Sequence, residues 1–332
     1  MSSQELQHYV SRFLLRRFAD PTSGRVHVLD KLTSNSFASN PDKVGAQNNY
    51  YNFEFGDLEI SLEKALGNLE SRAAAHVARI IRDGHLHLED ERERADLAAF
   101  FAVQLVRTPA KEATSQEAFS RMETWLRAQG MADNFFAFDM HFGSKENARR
   151  AEHIKMVQRA PEMFGPHFVE KDWVLLSTDR SSRFLIGDHP LTMHNSRDYA
   201  PRGNLGVRVA GVELYCPLSP KFALAMHCPT SADELEQAVL ERAHMPWEQA
   251  LCDPEIGLRP WGPAVAFSQA VRMGTPLSSE PTNITFFNSL QIASAERFLF
   301  ASHNDFSLAL EMIAQDAKLR HGMRLSEATG KF

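Results

Sequence analysis

The stretch FLIGDHPLTMHN, residues 184–195, decides the fold. Its apolar start, FLI, is typical of a buried strand, and Gly187 ends that strand. Pro190 fixes its own φ and favours an extended backbone at His189. We therefore predict a strand, a tight corner and a second strand, with Asp188 at the end of the first. Folds often place functional groups at such a position, on a rigid support.

Length and composition describe an ordinary folded chain. Its 332 residues exceed what one hydrophobic core usually covers, and 43% apolar with 23% charged residues is typical of globular proteins. We predict a mainly helical part, residues 1–165, and a mixed strand and helix part, residues 166–332. We expect the two parts to pack tightly into one compact unit.

Charge and hydropathy limit the partners. A formal net charge of −6 argues against a general electrostatic grip on nucleic acid, which normally needs a basic surface. No apolar run approaches the roughly 18 residues of a membrane span, and the N-terminus lacks the pattern of a signal peptide. We therefore expect a cytoplasmic protein with no membrane partner. The pattern indicates no oligomeric state.

Familiar catalytic and metal motifs are missing from the sequence. It contains no pattern for dinucleotide binding, a P-loop, a serine nucleophile elbow or a thermolysin-like zinc site. Its three cysteines, Cys216, Cys228 and Cys252, are far apart and form no C-x-x-C pair. We expect reduced, mostly buried thiols and no zinc site built on them.

The hydrophobic periods along the chain predict helices first, then strands, then helices again. Helices are predicted at 2–19, 57–83, 89–107, 111–129 and 145–159, with a strand at 26–29 and a long polar loop at 31–56. Strands follow at 173–177, 183–186, 191–194, 207–215 and 222–227. A helix at 231–244, a loop-rich stretch at 245–281 with room for one short helix, and helices at 282–302 and 306–319 complete the chain.

This order predicts an α+β fold. A helix-rich N-terminal part packs on a small, mostly antiparallel sheet, and the C-terminal helices return to the core. Two of the predicted helices carry amide side chains at positions where the helical period predicts apolar residues. They are Gln104 in one helix, and Asn288 and Gln291 in the other. A buried amide without partners costs about 1–3 kcal/mol, so Gln104 should be bonded to something specific. All three are candidate substrate contacts.

Two side chains in the first helices, His8 and Glu70, are candidates for acid–base chemistry. The predicted helix 2–19 places His8 and Arg12 on one face, and the helix 57–83 places Glu63 and Glu70 about 20° apart. Histidine acts near neutral pH, and paired carboxylates bind a divalent metal or divide acid and base roles. The plainer interpretations are a hydrogen-bonded core histidine and a solvated or salt-bridged glutamate.

Arg107 and Asp188 also have two interpretations each. Arg107 either interacts favourably with a helix C-terminus or holds a phosphate or carboxylate bidentately. Asp188 is either a turn former before Pro190 or a carboxylate that orients a base or binds a metal. His189, beside it, is a further candidate substrate contact, as is Arg12.

Several fragments together resemble a bacterial and phage family known as domain of unknown function 4238 (DUF4238). The chain departs from that family at Ser11, where proline is usual, and at His189, where asparagine is usual. The resemblance spans most of the chain and implies a site at these fragments without naming its chemistry. The fragments are His8-Tyr9-Val10 with Arg12, Leu14 and Phe18; Glu70; Gln104-x-x-Arg107-Thr108-Pro109; Gly187-Asp188-His189-Pro190; Pro217-Leu218-Ser219-Pro220; and Asn288-x-x-Gln291.

Three functional hypotheses follow. In the first, the chain is a hydrolase for a phosphodiester or other phosphorylated substrate: Glu70 and Asp188 hold a divalent metal or water, His8 transfers a proton, and Arg107 stabilises the developing charge. In the second, it is a non-catalytic ligand-sensing or defence-associated binding module whose three amides recognise a small ligand. In the third, the polar groups form a core network that fixes the packing. The sequence does not decide whether the chain is an enzyme, and it names neither the substrate nor the metal.

Overall fold

The computed structural model describes residues 5–55, 58–130, 145–179, 181–197, 205–244 and 261–324. These ranges hold nine α-helices and two short 3₁₀ helices, Pro41–Lys43 and Ala317–Arg320. The α-helices are α1 (Arg12–Arg17), α2 (Glu63–Asp83), α3 (Glu91–Val106), α4 (Pro109–Ala128), α5 (Lys145–Val169), α6 (Pro229–Ala243), α7 (Trp261–Met273), α8 (Pro281–Ser294) and α9 (Ser307–Gln315).

Thirteen strands form four sheets within the described residues. They are β1 (Leu6–His8), β2 (Val26–Asp30), β3 (Asn35–Ser39), β4 (Ala46–Asn48), β5 (Asn52–Phe55), β6 (Leu58–Ser61), β7 (Asp172–Ser177), β8 (Ile186–Gly187), β9 (Thr192–His194), β10 (Glu213–Pro217), β11 (Phe222–His227), β12 (Leu277–Ser278) and β13 (Phe298–Ala301).

Two larger sheets organise the molecule. One has the order β12-β7-β11-β10-β9 and is antiparallel except for the β12–β7 pair; the other, β3-β2-β13-β8, is wholly antiparallel. Two-stranded pairs, β1-β4 and β5-β6, complete the set. The predicted α+β class with mostly antiparallel sheets is confirmed. Strands from both predicted parts share one sheet, since β2 pairs with β13.

The corner at Gly187-Asp188-His189-Pro190 joins the two larger sheets. Before the corner, β8 pairs with β13, Ile186 opposite Phe300; after it, β9 pairs with β10, His194 opposite Glu213. The predicted strand, corner and strand are therefore present, although the first strand is only Ile186–Gly187. Because the chain changes sheets here, the corner residues are buried from both sides.

The predicted helix 2–19 is wrong in its first half. Residues Leu6–His8 form β1, which pairs with β4, and only Arg12–Arg17 are helical. Apolar residues on every side suit a buried strand as well as a buried helix. The choice is made by distant backbone: Gly45, in the left-handed region, accepts hydrogen bonds from the N–H groups of Tyr9 and Val10.

The predicted polar loop 31–56 is also wrong, because it contains β3, β4 and β5. The strand β3 is polar and mostly exposed, so it lacks the apolar alternation by which strands are usually read. The following helix begins at Glu63 rather than residue 57, after β6. The strands predicted at 183–186 and 207–215 are shorter in the structure, Ile186–Gly187 and Glu213–Pro217.

The predicted helix 282–302 combines two elements. Its first part is α8, and its last part is β13, a strand at the centre of the four-stranded sheet. Ala295 is already extended, so the helix ends before it. The stretch 245–281 contains α7 and β12, and its first sixteen residues lie outside the described ranges.

One large apolar core connects the helices to the sheets, and α8 packs on β8 and β9. The prediction that the C-terminal helices return to the core is confirmed. Of the two cysteines in the described ranges, Cys216 is buried and Cys228 is half-buried, and both are free. No helix in the described part of the chain has the length and apolarity to cross a membrane.

The buried His153, on α5, predicts acid-sensitive stability. Burial lowers its pKa to about 4, and within the described residues neither ring nitrogen has a hydrogen-bond partner. In the unfolded chain the pKa is near 6.5, so below that pH the unfolded state binds an extra proton. The contribution of His153 is therefore complete above about pH 6.5 and is lost as the pH falls towards about 4.

Replacing His153 with methionine should remove this sensitivity. Between pH 7 and pH 5 the free energy of unfolding of the wild type should fall by about 2 kcal/mol more than that of His153→Met, as measured by denaturant titration. His167→Met, on the same helix but half-exposed beside Glu170, is the matched control for the substitution itself. Equal slopes for His153→Met and the wild type would contradict the prediction.

Candidate functional site

A buried guanidinium, Arg107, lies at the centre of a hydrogen-bonded network. Its side chain is 1% exposed, and Nη1 donates to Oε1 of Glu70 at 2.6 Å. Nη2 donates to the Ser11 hydroxyl and, at 2.8 Å, to Oε1 of Gln104, which also accepts from Nε at 3.2 Å. The carboxylate of Glu70 is thus fixed by a cation that solvent hardly reaches.

Two more hydrogen bonds fix the backbone around His8. Nε2 of Gln104 donates to the carbonyl of Tyr9 at 2.9 Å, and the hydroxyl of Tyr51 donates to the carbonyl of His8 at 2.9 Å. The prediction that Gln104 has specific partners is confirmed. Sequence reasoning missed Ser11 and Tyr51, because their partners lie in elements far along the chain.

His8 is buried beside charged groups and keeps one ring nitrogen unbonded. Its residue exposure is 8%, and Nε2 has no hydrogen-bond partner among the described residues. Burial lowers the pKa of His8, and the charge of Arg12 lowers it further, whereas Glu70 and Asp42 act in the opposite direction. The imidazole is therefore neutral near pH 7.

The pKa of Glu63 shifts in the direction opposite to that of His8. Burial raises the pKa of its carboxyl group, and the charges of Glu70 and Glu5 add to the increase, while Arg107 and Arg12 oppose it. Both Glu63 and Glu70 lie on α2 and are half-buried, at the border of its buried stripe as predicted. Glu63 therefore holds a proton more readily than an ordinary glutamate.

Arg12 is the accessible cation of this group. Its side chain is exposed and, among the residues that the structure describes, takes part in no ion pair. Its charge nevertheless acts on both His8 and Glu63. The prediction of a helical pair is wrong, because His8 lies in β1, but the two side chains are still near each other. We call His8, Arg12, Glu63, Glu70 and Arg107 the acid–base cluster.

Asp188 belongs to a different network. It is 1% exposed, and its carboxylate accepts the backbone N–H groups of Glu296 (2.6 Å), Arg297 (2.8 Å) and Phe298 (2.8 Å). Burial raises its pKa to about 6, while these bonds and the charge of Lys31 act to lower it. Asp188 thereby fixes the turn between α8 and β13.

His189 contacts the start of α4. Its Nδ1 is 2.6 Å from the hydroxyl of Thr108, and the residue is 7% exposed. Burial lowers its pKa to about 3, and the charge of Lys111 contributes in the same direction. The ring is therefore neutral and is held against the segment that follows Arg107.

The two amides of α8 hold the strand before the corner and the corner itself. Gln291 accepts from the N–H of Gly187 at 2.9 Å and donates to the carbonyl of Pro190 at 2.8 Å. Asn288 accepts from the N–H of Leu185 at 3.0 Å and donates to the carbonyl of Arg183 at 2.9 Å. The amides of Asn288 and Gln291 are thus bonded to backbone groups. Gln104 differs, because its Nε2 donates to the Tyr9 carbonyl while its Oε1 accepts from the side chains of Arg107 and Ser11.

The structure places some predicted residues in one network and Asp188 in another. His8 is acted on by Arg12 and Glu70, and Arg107 is bonded to Glu70. The carboxylate of Asp188 is bonded to the 296–298 backbone, and its charge also acts on Tyr9, the residue after His8. A metal shared by Glu70 and Asp188 stays a prediction. The described residues contain no group of three or more His, Cys, Asp or Glu side chains arranged to hold a metal ion.

Comparisons with known proteins give one match. No curated protein and no solved structure matches the chain. A family model described as "Protein of unknown function (DUF4238)" matches residues 6–305, which include the acid–base cluster, the corner and α8. The chain therefore belongs to the DUF4238 family.

Proposed function

We propose that the chain is a hydrolase for a phosphodiester or another phosphorylated substrate, with its chemistry at the acid–base cluster. The observation that supports it best is the buried Nε2 of His8, which has no hydrogen-bond partner among the described residues. A buried polar atom without a partner costs about 1–3 kcal/mol and requires an explanation. In this proposal the nitrogen accepts a hydrogen bond from the water or substrate group that reacts.

His8 is the base in this proposal. Its lowered pKa leaves the imidazole unprotonated near neutral pH, so Nε2 can accept a proton from an attacking water. The bonds from Tyr51 and Gln104 to the carbonyls of residues 8 and 9 hold the backbone that carries the ring. A base on a fixed backbone is the arrangement that catalysis favours.

Glu63 is the acid. Its pKa is raised while that of His8 is lowered, and environments that push two pKa values apart are typical of acid and base partners. The protonated carboxyl group supplies a proton to the leaving oxygen as the bond to phosphorus breaks. Burial raises the pKa of Glu63, and the negative charge of Glu70, which Arg107 fixes in place, adds to that increase.

Arg12 binds the phosphate oxygens. An exposed guanidinium without an ion pair in the described structure can contact phosphate bidentately. Arg107 was the expected anion contact, but its donors are already bonded to Glu70, Ser11 and Gln104. We therefore assign Arg107 the positioning of Glu70. Binding of a divalent ion stays a prediction, and the assay tests it by comparing turnover with and without the ion.

The test is turnover of para-nitrophenyl phosphate, its bis ester and nucleotides, with and without Mg²⁺ or Mn²⁺. We expect His8→Asn to lower the rate at least about 100-fold, the usual contribution of a positioned base. His85→Asn, a histidine outside the cluster, is the matched control and should retain the wild-type rate. No turnover of any substrate would overturn the hydrolase proposal and favour the non-catalytic binding module.

The pH dependence of turnover is a second prediction. The base must be unprotonated and the acid protonated, so activity should fall on both sides of a pH optimum. We expect His8→Asn to remove the acidic limb of the profile, because His8 no longer titrates. An activity that rises steadily above pH 7 would contradict these roles for His8 and Glu63.

A further inference from the structure

A cleft of about 600 Å³ lies where α1 and α2 meet the sheets. This volume is within the range of small-molecule pockets, roughly 300–1,000 Å³. Its walls come from the end of α1 and the following turn, the last turn of α2, the segment after β7, the turn between β10 and β11, and the end of β13. None of its lining residues belongs to the acid–base cluster.

Three cations line this cleft: Arg17, Arg183 and Lys221. In the described part of the chain none of them forms an ion pair with a carboxylate. Among the residues that the structure describes, the Arg183 side chain donates to the neutral hydroxyl of Ser302, at 3.3 Å. Cations at protein surfaces commonly find acidic neighbours, so three without one around a single cleft form a local excess of positive charge in a chain of net charge −6.

The single carboxylate of the lining, Asp179, is engaged elsewhere. Its Oδ1 accepts from the backbone N–H and hydroxyl of Ser181 at 2.8 and 2.6 Å, and from the N–H of Ser182 at 3.1 Å. These bonds stabilise its own turn. The lining therefore has three positive charges against one negative charge that is already hydrogen-bonded.

Arg17 shows the strongest sign of a missing anion. Its Nε is buried and has no hydrogen-bond partner among the described residues. Burial lowers its pKa, and no described carboxylate acts against that effect. A buried guanidinium N–H without a partner is costly, and an anion in the cleft satisfies it with a charge-assisted hydrogen bond.

The remaining lining is apolar. Ile81, Phe222, Pro21 and Pro220 contribute side chains, and the Ser219 hydroxyl accepts the N–H groups of Lys221 and Phe222, which fixes their turn. Pro220 belongs to the Pro217-Leu218-Ser219-Pro220 fragment, for which the proposed function gives no role. An apolar wall with a few cationic groups suits a ligand that has an anionic end and an apolar body.

We propose that this cleft binds a phosphorylated small molecule with an aromatic or apolar body, held by Arg17, Arg183 and Lys221. Phosphate accepts several charge-assisted hydrogen bonds at once, so it suits a cleft lined by three cations better than a single carboxylate does. The site is separate from the acid–base cluster: Arg12 and Arg17 lie at opposite ends of α1, about 7–8 Å apart along the helix axis.

The experiment is calorimetric titration of the full chain with three probes at low ionic strength. Phenylphosphonate carries both anion and ring and resists hydrolysis, inorganic phosphate carries only the anion, and benzyl alcohol carries only the ring. We expect phenylphosphonate to bind more tightly than phosphate and benzyl alcohol not to bind. Arg17→Gln and Lys221→Gln should each weaken phenylphosphonate binding about tenfold, the effect of one charge-assisted hydrogen bond.

Matched controls separate this site from the proposed active site. Arg16→Gln removes the neighbouring arginine of α1, which pairs with Asp42 outside the cleft, and should leave binding unchanged, as should His8→Asn. Lys221 is exposed, so Lys221→Gln keeps the test decisive even if Arg17→Gln fails to fold. No phenylphosphonate binding, or binding that depends on Arg12→Gln instead of the cleft variants, would overturn the proposal.

Discussion

Replacing Arg107 with methionine is expected to lower the free energy of unfolding by about 3–5 kcal/mol, because the buried member of an ion pair, which also bonds two other side chains, is removed. Arg107 donates to Glu70, Ser11 and Gln104, and its side chain is 1% exposed. Its loss leaves the Gln104 oxygen with fewer donors and Glu70 without its cation. Denaturant titration at neutral pH measures the change.

The matched control for this prediction is Arg16→Met. Arg16 also pairs with a carboxylate, Asp42, but its side chain is 58% exposed, and exposed pairs contribute no more than about 1 kcal/mol. The double variant Arg107→Met with Glu70→Met should recover part of the stability, since no unpaired charge is then left. A loss below about 1 kcal/mol for Arg107→Met would show that the network does not stabilise the fold.

Local hydrophobic periodicity was sufficient to predict an element where a single apolar stripe packs against the core. The helix α2 buries Leu66, Leu69, Ala73, Val77 and Ile80, the stripe read from the sequence, and β11 spans the predicted Phe222–His227. The helix α3 ends before Pro109, as its proline predicts. In each of these elements the residue pattern and the tertiary environment favour the same structure.

The elements that the sequence mispredicted depend on partners far along the chain. Leu6–His8 become a strand because residues 46–48 pair with them, and Phe298–Ala301 because β2 and β8 lie on either side. Such pairings override local propensity and give no local signal. The same limit applies to the site: the proximity of His8 to Arg12 was expected for a helix, whereas the structure achieves it with a strand followed by a helix start.

Asp188 shows why the role of a site residue is harder to predict than its burial. A corner aspartate before proline fits catalysis and turn formation equally well from the sequence. The structure supplies the missing information, since three N–H groups from Glu296, Arg297 and Phe298 are bonded to it. These partners lie in a segment that the sequence analysis placed inside a continuous helix.

Replacing Asp188 with alanine is therefore expected to lower the free energy of unfolding by about 3–5 kcal/mol. The change leaves three backbone N–H groups without their acceptor, each costing about 1 kcal/mol or more. It also removes a counter-charge of Lys31, which is 0% exposed and donates to the carbonyls of Ile292 and Ala295. Thermal and denaturant unfolding measure the loss.

The control is Asp305→Ala, an exposed aspartate that accepts the N–H of Ser307 ahead of α9. We expect it to cost about 1 kcal/mol, as loss of an exposed local acceptor does. If Asp188→Ala unfolds no more easily than Asp305→Ala yet abolishes turnover, Asp188 acts in the chemistry and the structural assignment is wrong. If it destabilises as expected, and the folded fraction keeps its turnover, the corner carboxylate fixes the junction of the two sheets and takes no part in the reaction.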